Sequence, residues 1–112
     1  MRIVGLKEFL KMPDGTIYMK YSPCNFGELN IKHANVNDND FYYQDLTQEV
    51  KSSSSEELMD ILLKCEDSGE SFDLDLNCIS RDGLFEEGQL FAVYEQKDIN
   101  NLIAELQTCV GV

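Results

Sequence analysis

Apolar and polar residues alternate along much of this chain, and the period of the alternation changes several times. Leu6, Phe9 and Leu10 are spaced for one face of a short helix, which Met12-Pro13-Asp14-Gly15 ends with turn chemistry. Residues 16–22, TIYMKYS, then alternate with period two. The pattern predicts a strand with Ile17, Met19 and Tyr21 set against Tyr18 and Lys20. After Pro23, residues 28–36 repeat it, with Leu29 and Ile31 set against Asn30 and Lys32. The aromatic run from Phe41 predicts a third strand.

The strongest helical signal follows. Leu58, Ile61, Leu62 and Cys65 fall at i, i+3, i+4 and i+7, Ser54 with Glu57 forms a capping box, and Gly69 supplies the stop. Residues 71–80, SFDLDLNCIS, alternate almost without fault and predict a strand with Phe72, Leu74, Leu76 and Cys78 on its core face. QLFAVYEQ predicts another. Asp98 is placed to cap a last helix whose stripe is Ile99, Leu102, Ile103 and Leu106. The predicted order is α-β-β-β-α-β-β-α. Without regular βα alternation it implies an α+β fold, an antiparallel sheet of about five strands with helices packed on it. At 112 residues the chain is expected to be one domain spanning 1–112, with no internal repeat.

Charge sharpens this picture. Residues 1–37 carry five Lys/Arg against three Asp/Glu, residues 38–75 two against twelve, and residues 76–112 two against six, giving +2, −10 and −4 of the total −12. Such acidity disfavours nucleic acid and anionic membranes and favours encounter with basic proteins. No apolar run approaches the roughly 20 residues of a bilayer span. Lys7, Glu8 and Lys11 interrupt what a signal peptide would need, so a cytoplasmic location is expected. Cys24, Cys65, Cys78 and Cys109 contain no C-x-x-C and are joined by a single His33, a poor set for zinc; Cys65 and Cys78 complete apolar stripes and are expected as buried thiols.

The candidate chemistry is sparse. Asn37-Asp38-Asn39-Asp40 invites comparison with a calcium loop, but counting from Asp38 puts Tyr42 and Tyr43 where an oxygen ligand and Gly belong. Starting at Asn35 fails at the twelfth position, Leu46. The run is therefore expected as a turn. Cys24 with His33 as base lacks a third orienting group, and Asp73 with Asp75 lacks a cleft that would separate their pKa values. There is no glycine-rich phosphate loop. No catalytic residue, metal site or cofactor is predicted, and the chain is expected not to be an enzyme.

Two surfaces remain as binding candidates. One is acidic and comprises Asp38, Asp40, Asp45, Glu49, Glu57, Asp60, Asp73 and Asp75; the other groups Lys20, Tyr21, Lys32, His33 and Arg81. Three stretches, GTIYMKYSPCNFGELNIK, DFYYQDL and GQLFAVYEQKDINNLI, resemble small accessory proteins of bacteriophages and prophages, and the likeness covers most of the chain. Such proteins frequently bind and disable a host factor, including components of antiphage defence. The resemblance implies a non-catalytic inhibitor, working in the cytoplasm of a bacterial host, whose acidic face occupies a basic protein surface. The alternative is an oligomeric sponge for a small nucleotide signal, with the second group of residues on base and phosphates; a cysteine-dependent hydrolase is a distant third.

Overall fold

The computed structural model describes residues 1–83 and 86–111. Among them are seven strands and three helices: β1 (Arg2–Gly5), α1 (Leu6–Leu10), β2 (Ile17–Ser22), β3 (Asn25–Phe26), β4 (Asn30–Asn37), β5 (Asp40–Asp45), α2 (Ser55–Ser68), β6 (Ile79–Arg81), β7 (Leu90–Val93) and α3 (Gln96–Cys109). The strands form one antiparallel sheet in the order β1-β7-β2-β4-β5-β6, with β3 folded back on the end of β2. The fold is α+β, with seven strands in place of about five. A strand precedes the first helix. RIVG is too short to carry a period of its own, and it becomes a strand only because β7, far away in sequence, offers it an edge.

The core is an aromatic box. Phe9 of α1 stacks on Phe91 at 4.0 Å between centroids and meets Tyr18 and Phe41 edge-on at 4.7 and 5.0 Å, an arrangement that aromatic quadrupoles favour. Val4, Leu6 and Val93 complete it, with Leu10, Met12 and Tyr43 packed around its rim. Cross-strand register puts Val4, Phe91 and Lys20 in one row and Val93, Tyr18, Asn30 and Asp45 in the next. The face carrying these residues is the face that α1 covers. Tyr18 is fully buried, as is Lys32, while Ile17, Met19 and Ile31 lie half-buried on the reverse side. Both faces are rich in apolar residues, so alternation alone leaves their sidedness undetermined.

The expected strand 71–80 does not form as one element. Its pattern is satisfied only by a single bridge, Val50 to Leu74, and by the short β6. Phe72, Leu74 and Leu76 are exposed at 45, 43 and 49%. The long helices are also less buried than a packed-helix sheet requires. Neither α2 nor α3 contains a buried residue, Cys65 and Cys78 are only half-buried, and the radius of gyration of 16.2 Å exceeds the roughly 13 Å usual for this length. The caps are well formed nonetheless. Ser54 Oγ accepts from Glu57 N, and Gly69 adopts the left-handed conformation at φ 74°. For α3 the cap is Glu95, not Asp98. Asp98 stands three positions into the helix and reaches back to the Glu95 amide, closing a reciprocal box.

Candidate functional site

Between β5 and β6 the chain makes an excursion, residues 46–78, that adds nothing to the aromatic core. It begins with an Asx turn in which Asp45 Oδ1 accepts from the Thr47 and Gln48 amides at 2.7 and 3.1 Å. Backbone bonds from Lys51 N to Asp73 O (2.9 Å) and Asp75 N to Glu49 O (2.8 Å) then tie its two limbs together. α2 rises from the limbs, and a cleft of about 260 Å³ separates its Ile61 and Cys65 from Phe72 and Asp73.

Nine Asp/Glu and two Lys occupy this excursion: Glu49, Glu56, Glu57, Asp60, Glu66, Asp67, Glu70, Asp73 and Asp75 against Lys51 and Lys64, a net −7. Interspersed with them are exposed apolar side chains. Met59 and Leu63 are 63 and 58% exposed on α2, with Leu62 beside them, and Phe72, Leu74 and Leu76 protrude from the returning limb. The surface is thus both anionic and apolar, a combination suited to protein contacts. The sequence pattern assigned Leu62, Phe72, Leu74 and Leu76 to a core face and left Met59 and Leu63 off the helical stripe. The exposure of the first four could not have been read from it.

The acidic candidates divide. Glu49, Glu57, Asp60, Asp73 and Asp75 all belong to the excursion, with Asp45 at its base. Asp38 is exposed at the β4–β5 turn, where it shares a depression with Glu8 and Glu87, apart from the excursion. The turn itself forms as expected, with Asn39 N donating to Asn37 Oδ1 at 3.0 Å. Asp40 does not belong to any surface. It is completely buried, and its carboxylate accepts from Arg81 Nε, from Gly83 N at 2.9 Å and from Phe41 N at 2.8 Å. Burial alone would push its pKa up; the three hydrogen bonds outweigh burial and hold it below the ordinary carboxylate value.

The basic and aromatic candidates are largely occupied by their own chain. Lys20 Nζ lies 2.7 Å from Asp82, and Arg81 serves Asp40. Lys32 is buried, donates to the His33 carbonyl at 3.1 Å and sits 5.9 Å from the centre of the Phe9 ring; burial lowers its pKa. His33 Nε2 is engaged by Gln44 Oε1 at 3.0 Å. The Tyr21 hydroxyl receives the Cys24 amide, and its ring faces Phe26. Cys24 is exposed at the tip of the β2–β3 hairpin, and no described contact joins it to His33. These five residues therefore do not converge as one group.

No helix among the described residues is long and apolar enough to cross a membrane. The chain matches no protein-family model, no curated protein and no solved structure at a significant level.

Proposed function

We propose that this protein is a non-catalytic binding protein, of the bacteriophage accessory kind its sequence resembles, which inhibits a bacterial host factor by covering a basic surface of it. The observation that carries this reading is the excursion between β5 and β6. It holds a net −7 together with exposed Met59, Leu62, Leu63, Phe72, Leu74 and Leu76, and it contributes no side chain to the buried core cluster. Carboxylates steer a basic partner and set the register of contact, while the apolar side chains give up water on contact and slow dissociation. A component of antiphage defence is the partner class that the resemblance suggests. The nucleotide-sponge reading gains no comparable support: a phosphate would have to compete with Asp82 for Lys20 and with Asp40 for Arg81, and Lys32 has no exposed cation to offer.

Co-purification from an expressing bacterium tests the proposal. Wild type should retain a basic protein that is released steeply as salt rises, and the quadruple variant Glu57→Lys, Asp60→Lys, Asp73→Lys, Asp75→Lys should lose it while remaining folded. A folded quadruple variant that keeps its partner and its inhibitory effect would overturn the proposal. So would recovery of a tightly held nucleotide in place of a protein.

A further inference from the structure

α3 is anchored at its base and bare along its length. The reciprocal Glu95–Asp98 box closes its first turn, and Ile99 lines a depression with Met12, Ile17 and Tyr94. Beyond that turn the apolar side chains grow steadily more open, with Ile103 at 48%, Leu106 at 58% and Val110 at 79% exposure, and no residue of the helix is buried. Its 14 residues are about the length at which a helix without lateral packing is marginal in water. Ile99, Leu102 and Leu106 follow one another at steps of three and four, with Ile103 and Val110 alongside. Such a stripe is a narrow seam, and it suits a second helix laid along it.

Charge decides which helix. α3 carries Lys97 against Asp98 and Glu105, a net −1, and Asp98 is already engaged by the Glu95 amide. The rest of its polar surface is mainly amide and hydroxyl, with Gln96 donating to Asn100 at 3.1 Å. α2, the other open helix, carries Glu56, Glu57, Asp60, Glu66 and Asp67 against Lys64, a net −4. Two copies of α2 therefore repel each other, whereas two copies of α3 can meet, since amides hydrogen-bond their own kind without regard to sign. A basic protein is drawn to the acidic excursion in preference to α3. A membrane surface is poorly matched, because a helix that lies on anionic lipid presents a polar face rich in Lys and Arg, and α3 has one lysine.

We propose that α3 is a self-association element: two copies of the chain pair through the stripe of Ile99, Leu102, Ile103, Leu106 and Val110, each helix supplying the apolar cover that the other lacks. A helix of this length spans only about 21 Å, so the seam falls at the low end of specific interfaces and gives a dimer of micromolar strength. The pairing depends neither on the acidic excursion nor on a host partner, so either can fail without the other.

Sedimentation equilibrium of the full chain, from about 2 to 200 μM, is the direct experiment. Monomer should give way to dimer across this range, with little difference between low and high salt because the seam holds almost no charge. Ile103→Asp with Leu106→Asp puts two carboxylates per copy into the seam at exposed positions and should keep the protein monomeric throughout. Ile103→Ala with Leu106→Ala preserves helix propensity, should raise the dissociation constant about tenfold or more, and decides the matter if the Asp pair does not fold. Met59→Ser with Leu63→Ser on α2 should leave the dimer intact. The proposal is lost if the chain stays monomeric at the highest concentration, if the dimer is untouched by the α3 substitutions, or if the chain binds phosphatidylglycerol vesicles through α3 in place of pairing.

Discussion

The guanidinium of Arg81 donates to the carboxylate of Asp40, which has no exposed surface and lies 41 residues earlier in the chain. The contact joins the first residue of β5 to the last of β6 and so closes the base of the acidic excursion. Two residues that the sequence assigns to opposite binding surfaces are spent on one another.

Removing this carboxylate should be costly. Asp40→Ala leaves Arg81 and the Gly83 and Phe41 amides without their acceptor and should lower unfolding free energy by about 2–4 kcal/mol in urea melts at neutral pH. Because the folded pKa of Asp40 lies below its unfolded value, its contribution is present above roughly pH 4 and is lost as pH falls through the folded pKa. The difference between wild type and Asp40→Asn should therefore shrink in acid. A difference that is constant from pH 7 to pH 2 would contradict this account.

Lys32 presents the opposite case. Its ammonium is buried against Phe9 with the His33 carbonyl as its hydrogen-bond acceptor, and burial lowers its pKa. Lys32→Met keeps the length of the side chain and removes the desolvated charge, so its melting temperature should equal or exceed that of wild type at pH 7. A lowered lysine pKa means that the charged form opposes folding. Wild-type stability should then rise toward the Met variant as pH increases through the lowered folded pKa toward the ordinary lysine value of about 10.4, a convergence that thermal melts can follow.

Cys24 has φ 61°, the one non-glycine residue with positive φ among those described, at the tip of the β2–β3 hairpin after Pro23. A side chain in the left-handed region costs roughly 1–2 kcal/mol, partly offset in a glycine variant by the greater entropy of the unfolded chain. Cys24→Gly should stabilise the protein by about 0.5–1 kcal/mol, read as a shift of the denaturant midpoint with unchanged slope. Destabilisation would mean that the thiol makes contacts in solution that outweigh the strain.

Met59 and Leu63 separate binding from folding. At 63 and 58% exposure on α2, their replacement by Ser together should change unfolding free energy by less than about 0.5 kcal/mol. The same double variant should weaken capture of the host partner and leave the salt dependence of what remains intact, because the carboxylates are untouched. Loss of the far-ultraviolet helical signal in the variant would show instead that these side chains hold α2 in place.

The sequence by itself determined the local elements. Period two at 16–22 and 28–36, period 3.6 at 55–68 and 96–109, the Ser54 cap, the Gly69 stop and the Asn37–Asp40 turn all rest on interactions within a few residues, and each forms. Tertiary structure decided what those elements face. Tyr18 is inward rather than Ile17 because Phe9, Phe41 and Phe91 converge on its side, and a strand with apolar residues on both faces holds no record of which one a distant helix will cover. The near-perfect alternation of 71–80 stays exposed for the same reason: alternation prepares a strand for an edge but cannot supply one. The acidic candidates were legible as a charged stretch, yet burial of Asp40 depends on its pairing with Arg81, 41 residues away, which no local spacing encodes.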